Sequence, residues 1–376
     1  MLFGKQSIKS CLSVINTCSG AREGHSIYES ALQQHLDRCG VVHREVLIPK
    51  YDVNNALHAY LQQADCLVVC GGDGTVSSVA NALGATQQEE FLRKPIAVVP
   101  AGLQNSIAHS FGMISPERSL SSLIMGRTDA VPLWEVRVNT APSLVRYVCS
   151  YVAVGAYASI VQRFHQLSQV GDEYFALPML RHRFHAAALY TAFKRDVVPC
   201  AVNLKTHTGL PSTQNVTAIE GAGICVLRHR GPLWLLIAAQ MPLQHGGYSL
   251  TPCATYKRGT LSATVVTPEA TRLRMWHLLS REAKEGHVLE EDGVHIHQDL
   301  TYLQIHYDPI LYGSSGARQE GLDKVSCGGR ESVGAPSKED FEHSLLLMLD
   351  GEETWVLPGA TVTIQKSTRS LNFLVC

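Results

Sequence analysis

DCLVVCGGDGTVSSVANAL, residues 65–83, runs from an apolar segment through three glycines and an aspartate into a helical pattern. Strand, Gly-rich loop and helix in that order form a ready anion site. Gly71, Gly72 and Gly74 let backbone N–H groups approach a phosphate without a Cβ collision and reach positive φ. A helix opening near Thr75 adds the positive end of its dipole. Asp73 stands where a carboxylate can hold Mg²⁺ or take a proton from an attacking hydroxyl. A plain β-to-α turn needs fewer special residues than these five, so the loop is read as a phosphate cradle. There is no GxxxxGK[ST] sequence, and the glycine spacing does not fit GxGxxG, which disfavours a P-loop NTPase and a dinucleotide-dependent oxidoreductase.

The rest of the chain sets the frame around this loop. A length of 376 residues makes two domains the natural expectation. A net charge of −1 gives no global field to attract nucleic acid or anionic lipid, so no nucleic-acid partner is expected. Eleven cysteines without a CxxC pair read as reduced, partly buried thiols. The longest apolar run, PLWLLIAAQMPL at 232–243, is shorter than the about 20 residues a membrane span needs. No signal peptide is apparent, so the expected location is the cytoplasm, with peripheral membrane contact and homo-oligomerisation left open.

Strand and helix signals alternate through the first third: SCLSVIN, VVHREVLI, CLVVC and PIAVVP, each followed by a helical stretch. The run SPERSLSSLIMG has Ser115 as N-cap, Pro116 at the first helical position and Gly126 as terminator. Such β-α repetition predicts an α/β fold with a doubly wound parallel sheet over residues 1–130. Residues 131–376 read as a mainly β, sandwich-like second domain, interrupted by helical stretches at 177–194 and 271–284. Residues 313–340, rich in Gly, Ser and charge, are expected to form a flexible loop.

Two more loops end neighbouring strands, where ligands of open α/β sheets gather: INTCSGAR after the first and VVPAGLQNSIAHSFG after the fourth. With GGDGT and a late DGE, they resemble the diacylglycerol kinase catalytic-domain superfamily, whose pattern is NPxSG, GGDGT, PxGTGN or PxGSGN, then DGE. The fold this implies is the one that NAD kinases and diacylglycerol kinases share, followed by a β domain. The implied activity is an ATP- and Mg²⁺-dependent lipid kinase, with the primary hydroxyl of a lipid at a membrane surface attacking the γ-phosphate. Carried over, Asp73, Asp350 and Glu352 are the candidate catalytic acids, with Asp73 also a metal ligand. Asn16, Ser19, Gly20, Gly71, Gly72, Gly74, Thr75, Gly102 and Asn105 would line the nucleotide site.

The resemblance has departures. Thr17 replaces a proline; Leu103 and Gln104 replace a hydroxyl residue and a glycine. Ser78 replaces a common glutamate, and Ser106 an aspartate usual in diacylglycerol kinases. GAYASIVQRFH, residues 155–165, resembles a diacylglycerol kinase segment, with Tyr157 in place of its Asp. Ser159 aligns near the acid that pairs with the amine in sphingosine kinases and cannot supply that charge. Diacylglycerol and sphingoid acceptors both stay open. The helical stretch 177–195 puts Leu180 and Phe184 on one face, as an acyl-chain wall or as core, beside several basic residues. A weakly active or inactive lipid- or nucleotide-binding relative is one alternative; an NAD kinase is another, without the NxGxLGFL loop. His295 and His297 share one side of a strand without a local third ligand, and are read as ordinary core or surface histidines.

Overall fold

The computed structural model describes residues 8–20, 22–50, 52–103, 105–140, 143–170, 187, 189–190, 200–208, 224–244, 247–307 and 344–376. The first half builds the expected alternation. Strands β1 (Ser10–Asn16), β2 (Val42–Ile48), β3 (Cys66–Gly71) and β4 (Pro95–Pro100) lie in the order β2-β1-β3-β4, all parallel. Every residue of β3 is buried, as a central strand covered on both faces requires. The helices of this half are α1 (Gly24–Tyr28), α2 (Gln34–Arg38), α3 (Val53–Tyr60), α4 (Asp73–Ala85), α5 (Glu89–Leu92), α6 (Ser106–Ser110) and α7 (Pro116–Met125). α7 keeps its sequence punctuation: Ser115 accepts from the Arg118 amide, and Gly126 closes the helix at φ +63°. α4 starts at Asp73, one turn edge earlier than the Thr75 expected from sequence.

This order makes β1 and β3 neighbours from which the chain departs in opposite directions. Such a switch point leaves a crevice at the carboxyl ends of the two strands. Asn16 and Gly71 end those strands, so the first two loops open onto that crevice.

The second half is mainly β. It comprises β5 (Thr128–Val138), β6 (Leu144–Val148), β7 (Tyr151–Gly155), helix α8 (Ala156–Val170), β8 (Cys200–Thr208), β9 (Ile224–Leu233), β10 (Leu235–Ala239), β11 (Leu261–Val266), β12 (Val294–Tyr307), β13 (Leu345–Leu349), β14 (Glu352–Val356) and β15 (Thr361–Leu374). One apolar core draws on β5, β7, β11, β12 and β15 together, through Trp134, Val152, Val265, Leu303 and Ile364 among others. The last strand is not confined to this half. Its start, Val362 and Ile364, lies in that core, whereas Leu371, Phe373 and Leu374 lie in the core of the first half. There β15 pairs in parallel with β4, Asn372 opposite Pro95. A hydrogen-bonded path therefore runs unbroken from β14 to β2.

Cys11, Cys18, Cys39, Cys66, Cys70, Cys149, Cys253 and Cys376 are free, in line with reduced thiols. Leu180, Phe184 and all of the expected helix at 177–194 except residues 187 and 189–190, together with the expected loop at 313–340, lie outside the described residues.

Candidate functional site

Three loops and one hairpin meet at the crevice. Asn16 ends β1 and donates from Nδ2 to Thr75 Oγ1 at 2.9 Å, while its Oδ1 accepts the Cys18 amide at 3.0 Å. The first loop is thereby tied to the first turn of α4. Ser19 is buried and its amide bonds the Asn16 carbonyl at 3.1 Å. Gly20 has φ +62°, and a Cβ there would lie 2.4 Å from the Ala101 carbonyl oxygen. Only glycine lets the first loop lie against the third.

Gly72 caps α4 and carries no side chain to satisfy the first amides of the helix. Gly71 is needed for packing: a Cβ would sit 2.4 Å from Thr75 Oγ1. In the third loop, the Gly102 amide donates to Asn105 Oδ1 at 2.9 Å and Asn105 Nδ2 returns a bond to the Gly102 carbonyl at 3.0 Å. That reciprocal pair closes a tight turn. Leu103, within the turn, packs with Leu167 against the buried Phe164 of α8. The hydroxyl residue expected there is replaced by an apolar contact to the second half.

Asp73 is 7% exposed. Its Oδ2 accepts the Ser106 amide at 3.0 Å and its Oδ1 the Ile107 amide at 2.9 Å. The first residue of α4 thus caps α6. Burial pushes this carboxyl up to about 7; the Ile107 and Ser106 amides oppose the shift and the nearby Asp350 carboxylate adds to it.

Asp350 and Gly351 form the two-residue loop of the β13–β14 hairpin, with φ of +49° and +90°. Positive φ at both positions is what a type I′ turn demands, and Asp-Gly suits it. The Asp350 carboxylate points into the protein and is fully buried. It accepts the amides of Cys149, Ser150 and Tyr151 at 2.7, 2.8 and 2.7 Å, and the Asp350 amide donates to the Tyr151 carbonyl at 3.0 Å. Burial pushes its carboxyl up, against the pull of those amides. As placed, Asp350 clamps the β6–β7 turn and presents no oxygen to the crevice.

Glu352, two residues on, is exposed. A Cβ on Gly74 would lie 2.6 Å from Glu352 Oε1. The third glycine of GGDGT therefore makes room for a carboxylate from near the far end of the chain. Asp73 is tied to the third loop through the Ser106 amide, next to Asn105, and Glu352 stands over Gly74, the residue after Asp73. Ser159 lies half-buried near the start of α8, in the second half.

Two participants have no sequence signal. Tyr151 is buried beside Tyr157, ring centroids 5.7 Å apart, and its phenol is pushed well up by burial and by Asp73, Asp350 and Glu352 in that order. Tyr157 in turn meets Tyr248 edge-on at 6.1 Å. The crevice thus backs onto a row of phenols that meet edge to face. Gln244 is the second, and enters through a bond to Ser106. Nothing in the local sequence joins positions so far apart.

Among the described residues no cluster of three or more His, Cys, Asp or Glu is arranged to hold a metal ion. His297 is partly buried and held below the usual histidine range by desolvation. No helix among the described residues is long and apolar enough to cross a membrane.

Residues 10–136 match the diacylglycerol kinase catalytic domain family. Sphingosine kinase B of Dictyostelium discoideum is 26% identical over 133 residues, covering 35% of this chain and 18% of that protein. YtlR of Bacillus subtilis (strain 168), named as a candidate lipid kinase, is 21% identical over 319 residues, 81% of this chain and 94% of its own. A crystal structure of a diacylglycerol kinase from Bacillus anthracis str. Sterne aligns with a TM-score of 0.57 at 12% identity, covering 99% of this chain and 98% of that one. At that identity the likeness is one of fold.

Proposed function

We propose that this chain, whose residues 10–136 belong to the diacylglycerol kinase catalytic-domain superfamily, is an ATP-dependent lipid kinase. The γ-phosphate passes to the primary hydroxyl of a membrane lipid, a diacylglycerol or a sphingoid lipid, met by peripheral contact with the membrane. The observation that carries this reading is the convergence at α4. Gly72 leaves the helix start uncapped by any side chain, and Glu352 reaches over Gly74 beside it.

The donor set suits a nucleotide with Mg²⁺. A phosphate and a carboxylate at one helix N-terminus repel each other unless a cation stands between them. Mg²⁺ is commonly held by one or two carboxylates together with phosphate oxygens, so one exposed glutamate is sufficient protein ligation. When bound, the ion neutralises charge on the transferring group.

The chain's own residues divide the remaining work. Asn16, Thr75 and the Gly102–Asn105 turn fix the three loops around the phosphates. Asp73 holds α6, and with it the third loop, through two amides. Glu352 is the carboxylate open to solvent, and takes the acceptor's proton or a metal contact. Asp350 sets the hairpin that carries it.

The test is transfer of label from ATP with Mg²⁺ to lipid in mixed micelles of diacylglycerol, sphingosine, ceramide or monoacylglycerol. Wild type is expected to label one lipid class. Glu352→Gln is expected to lower turnover by at least about a hundredfold, with stability within about 0.5 kcal/mol. Label appearing in NAD in place of a lipid, or no transfer by a protein that binds ATP, would sink the kinase reading.

A further inference from the structure

Ser106 occupies a crossing point that the catalytic reading leaves unused. Its amide donates to Asp73 Oδ2 at 3.0 Å, and its hydroxyl donates to the Gln244 carbonyl at 2.5 Å, 138 residues away. Ser106 is 3% exposed and Gln244 fully buried, so water does not compete for the bond.

The receiving side is built to stay in place. The Gln244 amide donates to the Tyr248 carbonyl at 2.7 Å, and its side chain bonds the Met241 carbonyl, Thr251 Oγ1 and the Leu250 amide. Every polar atom of that side chain is engaged. The Gln244 carbonyl accepts the Gly247 amide at 3.0 Å in addition to Ser106.

The helix on the other side is not self-supporting. α6 has five residues, far fewer than the roughly twelve an isolated helix needs to be even marginal in water. Its far end is packed: Phe111 stacks on Phe373 at 4.7 Å and meets Tyr256 at 5.3 Å. Its near end, at the third loop, is held by Asp73 and by the Ser106 hydroxyl. An aspartate at 106, as in the diacylglycerol kinase pattern, would set a carboxylate against a carbonyl oxygen and near Asp73. Serine turns that position into a donor.

We propose that Ser106 is a positioning residue: through its amide it orients the Asp73 carboxylate, and through its hydroxyl it locks that cap to the Gln244 turn. The second half of the chain thereby sets the geometry of the third loop. This rests on the kinase reading only for its turnover measurement.

Two measurements on the full-length protein test it: steady-state phosphoryl transfer, and hydrogen exchange of the 106–110 backbone. Ser106→Ala keeps the amide and deletes the latch. Its turnover is expected to fall roughly tenfold, with KM for ATP within about twofold. Amides 106–110 should exchange at least about tenfold faster while those of β1 and β3 are unchanged. Ser106→Thr, which retains the hydroxyl, should restore both. Wild-type turnover in Ser106→Ala, or unchanged exchange at 106–110, overturns the proposal. If the wild type phosphorylates no lipid, the kinase reading falls and the exchange comparison alone decides the latch.

Discussion

The GGDGT turn and the DGE hairpin each bury an aspartate against backbone amides, yet they serve different ends. Asp73 binds two amides, keeps 7% of its surface and lies on the crevice. Asp350 binds three, has no exposed surface and lies beneath the crevice. A carboxylate saturated by amides and sealed from solvent is a building part. One that still borders the cleft can be both a cap and a participant. The difference teaches that an acid within a recognised motif need not be one that faces the crevice. In DGE, Asp350 shapes the turn, and Glu352 is delivered by it.

The contrast is broken most directly at Asp350. Asp350→Ala strands three buried amides, and the expected loss of stability is about 3–5 kcal/mol, measured by urea denaturation. A loss below about 1 kcal/mol would mean that the β6–β7 turn does not depend on this carboxylate.

A smaller effect is expected at Gly74. The position is helical without positive φ, so alanine fits the backbone and adds up to about 1 kcal/mol of helix propensity. The new Cβ must displace Glu352, whose Oε1 would stand 2.6 Å away. Gly74→Ala should therefore hold or gain stability while turnover falls about tenfold. Unchanged turnover would show that Glu352 need not rest on the helix start.

The mildest test is pH. Asp73 titrates at about 7 in the fold against an ordinary 3.8. If its ionised form serves transfer, activity rises with pH to a plateau above about 7. Stability moves the opposite way. With the folded value raised, the native state holds a proton that the unfolded chain has lost, so this contribution is full below 3.8 and is gone above about 7. Asp350 is shifted in the same direction and adds to the slope. Asp73→Asn should flatten part of the decline; an unaltered slope would assign it to Asp350 and other groups.

Much of the site was legible because its parts are local. Three glycines around an acid and an Asp-Gly turn each carry their backbone requirement in adjacent residues. The strand-helix rhythm likewise predicts the parallel sheet, since periodicity reflects which face each element buries. Other features were illegible for the opposite reason. Leu103 looks like a damaged phosphate contact until Phe164 and Leu167 are seen beneath it. Ser106 reads as a missing acid until the Gln244 carbonyl is seen to accept from it. The domain division at 130 follows the change in pattern, whereas β15 crosses back to pair with β4.

Local chemistry alone, then, dictated a glycine-rich turn between strand and helix, with its glycines, its acid and its neighbours in order, because turn geometry and capping act over a few residues. Which carboxylate faces the crevice, which only props it up, and how a distant glutamine and the last strand brace the two ends of α6 came from tertiary contact. Those assignments depend on burial and hydrogen-bond saturation, and both are properties of the packed chain.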